Sequence, residues 1–266
     1  MIGGWSAGWG AGRGVGFAPG SVDAAWAELK ALCAGGTLVS PRWWILDPVS
    51  NRVLAFVDEL DPTHLFIQTD STRQVQPPQP DPRTGVLVFT FTGAEWYDST
   101  RLPAAWQYLH DGTGGGCYYS ATPTEVAATR FVCTSRGNAN AGFSSAFVVG
   151  PNAQANVLNA GGSIVSGSRA VLLNTPVQVG FNYQTGATTP QEWAYKVTGF
   201  VELTGVATGA PLVVPSLTTM RIGARGVVND FHFRGRLALI CFARGLSAEQ
   251  RTRARSLIQT ITKVAA

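Results

Sequence analysis

Phe233-Arg234-Gly235-Arg236-Leu237-Ala238-Leu239-Ile240-Cys241-Phe242-Ala243-Arg244-Gly245-Leu246-Ser247-Ala248-Glu249-Gln250-Arg251 reads as a strand, a tight turn and the start of a helix. Leu237, Leu239, Cys241 and Ala243 alternate with Ala238, Ile240 and Phe242, and both sets are apolar. A short run that is apolar on both faces is a strand buried on both sides. Arg244-Gly245 ends it, and Ser247 stands three residues before Gln250, the spacing of a capping box. Ala254, Leu257, Ile258 and Ile261 then recur at helical spacing, which predicts an amphipathic helix with one apolar stripe. That stripe is expected to pack on the strand's own sheet, with Arg251, Arg253 and Arg255 facing outward.

Outward from this stretch the composition is that of an all-β chain. Charged residues are 14 %, below the usual share of about 25 %. The 31 glycines and 15 prolines, set among Thr, Val and aromatics, point to many short strands joined by turns. The net charge of +4 is uneven. From Arg221 onward nine basic residues face two acidic ones, a net of +7, so the preceding residues carry −3. No aromatic residues interleave the arginines as a stacking platform would require, so a solvated or subunit-facing helix is expected rather than a nucleic-acid site. Cys33, Cys117, Cys133 and Cys241 lie far apart, with no CxxC and no Cys/His spacing for zinc. Two disulfides in three pairings stay open, and Cys241 in its apolar strand reads as a buried small hydrophobe. Residues 1–20 lack the charged start and apolar run of a secretory leader, and no stretch has the length of a membrane span, so the expectation is a chain made in a cytoplasm and assembled there.

Two regions are expected. Residues 1–36 form a Gly/Trp-rich arm ending in a short helix at 23–33, and 37–266 form the sandwich domain. In the arm, Trp5, Trp9 and Phe17 are spaced by glycines and read as anchors that fill pockets on a neighbour. Gly10-x-Gly12-x-Gly14 lacks the strand before it and the Lys-Ser/Thr after it that a phosphate loop needs. Strands are expected at 43–47, 52–58, 62–68, 85–91, 116–120, 130–134, 146–150, 170–173, 177–183, 192–197, 199–203 and 219–222, with 106–110 leading into the Asp111-Gly112 turn. With no helical crossovers between them, they make an antiparallel two-sheet sandwich.

Several of these segments, in this order, resemble the concanavalin A-like lectin/glucanase superfamily, in the laminin-G-like form common in bacteriophage and prophage structural proteins. Trp44-Ile45-Leu46-Asp47 is similar to the opening "W-L-D-A" strand, and Val53–Asp58 followed by Thr69–Pro77 is similar to "V-x-x-W-x-D … T-Q-x-x-x-x-Q-P", with Phe56 in the Trp place. Val86–Phe89 with Thr92-Gly93, and Leu109-His110-Asp111-Gly112-Thr113-Gly114-Gly115, match further strand and turn motifs. Leu217–Ala224, Phe233–Ala238 and Gly245–Glu249 resemble "L-x-I-G … F-x-G-x-I-A … R-x-L-S-x-x-E". The resemblance covers 37–261 and implies a jelly-roll sandwich ending in a helix, an assembly on a virion, and glycan binding as the ligand chemistry.

The superfamily's glucanases place E-x-D-x-x-E on one strand. Here Glu59-Leu60-Asp61-Pro62-Thr63-His64 ends in histidine and is broken by Pro62, so these read as loop carboxylates and no catalytic residue is expected. His110-Asp111 reads as turn chemistry, because no G-x-S-x-G elbow accompanies it. His232, between Phe231 and Phe233, reads as a solvent-facing or hydrogen-bonded side chain rather than a ligand. Oxygen ligands do not converge on one loop, so no metal and no cofactor is expected. Sugar rings need an aromatic face and planar amides, and the candidates are Trp96-Tyr97, Tyr118-Tyr119, Trp193 and Tyr195. Assembly contacts are expected at Trp5, Trp9, Phe17, Arg251 and Arg255. The function expected is a non-enzymatic virion protein displaying a lectin-like domain. Its partners would be other virion proteins, copies of itself in a closed homo-oligomer such as a trimer, and host-surface polysaccharide, with no membrane and no nucleic acid. A polysaccharide-binding module or a divergent glycoside hydrolase is the alternative.

Overall fold

The structure, a computed structural model, describes residues 21–136, 141–159, 162–184, 192–216, 218–225 and 231–264. Trp5, Trp9 and Phe17 lie outside the described residues. Between α1 (Val22–Leu32) and α2 (Ala248–Thr262) run the strands. The first are β1 (Thr37–Leu46), β2 (Val53–Asp58), β3 (Leu65–Ile67), β4 (Gln79–Pro80), β5 (Leu87–Thr92) and β6 (Tyr97–Ser99). Next come β7 (Thr113–Pro123), β8 (Arg130–Thr134), β9 (Gly142–Val148), β10 (Asn152–Asn159), β11 (Gly162–Val165) and β12 (Arg169–Ala170). The last are β13 (Val177–Gln184), β14 (Glu192–Val197), β15 (Leu203–Val206), β16 (Arg221–Ile222) and β17 (Arg234–Arg244).

All ladders between these strands are antiparallel, as in a jelly roll, and the strands fall into two sheets. In one, β17 lies between β7 and the pair β5 and β1, and β7 continues through β13 and β14 to β15. In the other, β2, β3, β6, β16, β8, β9 and β10 follow in order. β1 belongs to both: residues 37–39 pair with β17, and 44–46 pair with β2 after a shift of register between Val39 and Trp44. A strand that changes sheets through such an irregularity makes the corner of a sandwich.

The two-sided apolar pattern of β17 has a direct explanation. Leu237 pairs with Ala121 but Leu239 pairs with Ser120, so Ala238 is an extra residue and the strand carries a bulge. Leu237, Ile240 and Phe242 point into the core between the sheets, with Phe56, Phe89 and Trp106. Leu239, Cys241 and Ala243 point the other way, into a second core with Ala25, Leu29 and the α2 stripe Ala254, Leu257, Ile258 and Ile261. The sandwich therefore carries a third, helical layer on one outer face. Losing one buried leucine from either core would cost about 2–5 kcal/mol.

Both helices start as their sequences dictate. The Ser21 hydroxyl caps α1 by accepting from Ala24 N, and Ser247 and Gln250 form the reciprocal capping box of α2. Cys33, the C-cap of α1, is disulfide-bonded to Cys241 on the outer face of β17. Cys241 is thus a cross-link between layers rather than a free buried hydrophobe. Cys117 and Cys133 are free and buried, with sulfurs 3.7 Å apart between the two sheets.

β4, β6, β10 and β11 are not among the expected strands, and further segments differ from the expected pattern. Residues 103–109 form a 3-10 helix opened by Pro103 rather than extended chain. Residues 148–152 turn the β9–β10 hairpin, so the strand expected at 146–150 lies earlier. The strand expected at 199–203 starts at Leu203.

Candidate functional site

The aromatic candidates for sugar stacking separate sharply by burial. Tyr97 lies in the inter-sheet core, stacked on Phe56 at 3.9 Å between ring centroids, with its hydroxyl donating to Val53 O and accepting from Val75 N. Tyr119 and Tyr195 are in the same core, the former bonded to Ser145 Oγ at 2.9 Å. Tyr118 fills the helical layer above Gly180. Burial pushes the pKa of all four phenols up, so they stay neutral. Trp96 is buried with the guanidiniums of Arg73 and Arg221 over its ring, at 4.4 and 5.2 Å. A covered ring offers no face to a sugar, so these five residues are packing groups here. Trp193 alone is half-buried and lines a cleft.

That cleft holds about 430 Å³ and lies on the outer face of the sheet, beside α2. The β13 sequence Val177-Gln178-Val179-Gly180-Phe181-Asn182-Tyr183-Gln184 alternates strictly. Val177, Val179, Phe181 and Tyr183 enter the core, so Gln178, Asn182 and Gln184 face outward. Asn182 pairs with Ala194 and Gln184 with Glu192, and Ala194 and Glu192 pair with Thr204 and Val206 of β15. This outward block is the cleft floor, and Arg251 from α2 is its wall. Trp193 pairs with Gly205, and a Cβ on Gly205 would collide with the indole, so the ring lies over the edge strand on the core-facing side, packed against the inter-sheet core. Asn182 is only 1 % exposed, and its Oδ1 has no hydrogen-bond partner. A buried amide oxygen left unbonded costs about 1–3 kcal/mol, which a donor arriving in the cleft would recover.

Arg251 and Arg255 do not look outward. They are 7 % and 9 % exposed, and both reach Glu202 in the β14–β15 connection, Arg251 at 3.6 Å. Glu202 supplies a charge that the helix pattern alone could not reveal. The exposed arginine of the trio, Arg253, pairs with Glu28 of α1. The same pairing absorbs much of the C-terminal excess charge: Arg221 meets Asp98, Arg234 meets Glu125 and Arg236 meets Asp81.

The Glu59–His64 motif is drawn into another cluster. His64 Nδ1 lies 2.9 Å from Asp58 Oδ2, and His64 Nε2 lies 2.8 Å from Ser99 Oγ. This is the order of a nucleophile, base and orienting carboxylate. Yet Asp58 also accepts from Leu38 N and Leu60 N at 3.0 Å, and Ser99 Oγ accepts from Arg101 N at 3.0 Å. The three side chains are buried and do not line the cleft, so the cluster is a polar pin between β2, β3 and β6. Glu59 pairs with Lys30 of α1 at 2.8 Å. Asp61 pairs with Arg101 at 3.0 Å, and hydrogen bonds from Thr63 and Arg101 hold its pKa down to about 2. Among the described residues, Glu192 is the one carboxylate that lines the cleft, without a second beside it to make an acid and nucleophile pair. Asp111 accepts from Thr113 N and Oγ1 while Gly112 takes φ 81°, the turn chemistry expected. His110 is buried with Nε2 on Val214 O at 2.9 Å, and His232 is buried and packs against Trp96. Among the described residues, no group of three or more His, Cys, Asp or Glu gathers to hold a metal.

No family model matches the chain, and no curated protein does. Solved structures do. An arabinofuranosidase complexed with arabinofuranosyl-α-1,2-xylobiose aligns over 79 % of this chain and 51 % of its own, with 10 % identity and a TM-score of 0.51. The chain thus spans about half of that enzyme. The CBM40 module of Ruminococcus gnavus IT-sialidase, bound to α2,3-sialyllactose, aligns over 62 % of this chain and 93 % of its own, with 14 % identity and a TM-score of 0.49. Domain 4 of AbnA, a GH43 extracellular arabinanase from Geobacillus stearothermophilus in complex with arabinotriose, aligns over 67 % and 79 %, with 11 % identity and a TM-score of 0.48. At these identities the likeness is one of fold, the β-sandwich found in carbohydrate-binding modules and in domains of glycoside hydrolases.

Proposed function

We propose that this chain is a non-catalytic glycan-binding sandwich, displayed on a virion of a tailed phage or phage-like particle, where it takes host-surface polysaccharide. The observation that carries the binding half is the outer-face cleft, with the buried, unpartnered Asn182 Oδ1 at its floor. Gln184, Thr204, Glu192 and Arg251 add amide, hydroxyl, carboxylate and guanidinium groups around it. Such a set of planar and charged groups suits ring hydroxyls, which donate and accept at once. The virion half rests on the ordered motifs of 44–47, 109–115 and 233–249. A Cys33–Cys241 disulfide suits a particle that works outside a reducing cytoplasm. Other virion proteins, and copies of this chain in a closed ring, are its proposed neighbours.

The test is a glycan and host-polysaccharide array with the full chain. Binding that is lost in Asn182→Ala, with an unchanged melting temperature, supports the reading. An array with no binder, or an Asn182→Ala variant that binds equally, overturns it. Reducing-sugar release from a bound polysaccharide would replace it with the hydrolase alternative.

A further inference from the structure

We infer that the outer face carries a second, separate binding site, which takes a carboxylated sugar: a hexuronate unit of an acidic polysaccharide. The site shares no lining residue with the first cleft and stands on its own groups.

It is a cleft of about 390 Å³ at the other end of β14, against α2. Small-ligand sites run from about 300 to 1,000 Å³. The Arg251–Glu202–Arg255 ion pairs stand between the two clefts. One side of the new cleft comes from a turn. Val197 enters the core, so Lys196 before it and Thr198 after it face outward. Gly199 then takes φ 82°, open to a residue without a Cβ, and Phe200 N–H closes the turn on Val197 O. The turn brings the Phe200 ring, 38 % exposed, to the cleft, with the Arg169 guanidinium 5.5 Å from its centroid. The other side is Thr252, Ser256 and Gln259, at i, i+4 and i+7 on one face of α2.

The charge of the lining decides the ligand. Among the described residues, Lys196 and Arg255 line the cleft and no carboxylate does. Arg255 is already held by Glu202. Lys196 is half-buried, and its ammonium meets no acid among the described residues. An unmatched charge in a concave, partly desolvated place attracts an anion more strongly than one in open water. The Ser256 hydroxyl and the Gln259 side-chain amide have no hydrogen-bond partner among the described residues either. They present donors and acceptors to ring hydroxyls, and Phe200 presents an apolar surface to the C–H side of a sugar. A uronate answers all three. A neutral sugar lacks the carboxylate, while phosphate and an acidic peptide lack the sugar ring.

The experiment titrates the full chain by calorimetry with digalacturonate and dimannuronate, their neutral counterparts of the same linkage, inorganic phosphate and triglutamate. At least one uronate is expected to bind about tenfold or more tightly than its neutral counterpart, phosphate and triglutamate, and to weaken as salt is added. Lys196→Gln should bring that uronate down to the neutral sugar's affinity at an unchanged melting temperature. Phe200→Ala should weaken it several-fold, and Asn182→Ala should leave it unchanged. The inference is overturned by the absence of a uronate binder, by equal binding of the neutral sugar, phosphate or triglutamate, or by an affinity indifferent to salt or to Lys196→Gln. Uronate binding lost in Asn182→Ala but kept in Lys196→Gln would put the ligand in the first cleft, ending this inference while the glycan-binding reading stands.

Discussion

Gln178 on β13 donates its side-chain amide to the backbone carbonyl of Arg255 on α2, at 2.9 Å. The bond joins the sheet to the middle of the helix, at a carbonyl that the outward row of β13 happens to reach. Gln178→Ala leaves α2 without that tie to the sheet. Urea unfolding should show a loss of about 1–2 kcal/mol. Amide exchange should quicken in α2 more than in β17.

Gly205 and Trp193 share one site on the edge of the sheet. Gly205→Ala puts a methyl group where the indole lies. The ring must swing away, costing about 1–3 kcal/mol as overpacking does. Tryptophan emission should shift to the red.

His110 gives the fold an acid-sensitive point. Its ring is buried, Nδ1 has no hydrogen-bond partner, and desolvation lowers its pKa below the ordinary value despite the pull of Val214 O and Asp111. The unfolded chain takes up a proton near pH 6.5, and the folded chain only at lower pH. Stability contributed by the neutral ring is therefore complete above about pH 6.5 and falls as pH drops towards the native value. The melting temperature should decline from pH 7 to pH 5, and His110→Gln should flatten that slope.

The cysteines are expected to divide two and two. Native protein should show no thiol reactive to a soluble disulfide reagent, because Cys117 and Cys133 are buried and burial pushes the Cys117 thiol pKa up. Denatured, unreduced protein should show two. Cys33→Ser with Cys241→Ser should lower stability by about 2–5 kcal/mol. Four reactive thiols in the denatured state would mean the bridge does not form.

The Asp58–His64–Ser99 chain is expected to hold structure and to do no chemistry. His64→Ala removes the hydrogen-bond partner of the buried Asp58 Oδ2 and should cost about 1–3 kcal/mol. Wild-type protein should take no fluorophosphonate label at Ser99. Stoichiometric labelling would show a nucleophile instead.

Much of the fold was legible because its signals are local. The alternation in 237–243, the Ser247–Gln250 box and the 254–261 stripe each involve neighbours within a few residues; the box and the stripe form as read, while the bulge at Ala238 moves Leu237 to the face of Ile240 and Phe242. β10 was missed because Asn152-Ala153-Gln154-Ala155-Asn156 lacks the branched and aromatic residues that mark strands; its pairing with β9 comes from tertiary context. The site was less legible. Strict alternation in 177–184 does place Asn182 outward, and could have found it. Burial of Tyr118, Tyr119 and Tyr195 depends on which face each strand turns to two separate cores, which aromatic content cannot tell. Glu202 and Arg255 are 53 residues apart, as are many pairs that never meet.

The disulfide between Cys33 and Cys241 also has a mechanical side. It bypasses 208 residues of chain, including nearly all of the sandwich. Tension applied between the two ends of the described chain travels from α1 through the sulfurs into the last residues of β17 and then α2. The strands between them are off the load path. A domain tethered at one end and pulled through the other can thus yield only α1, α2 and the last few residues of β17, while the sheets and the cleft floor keep their shape.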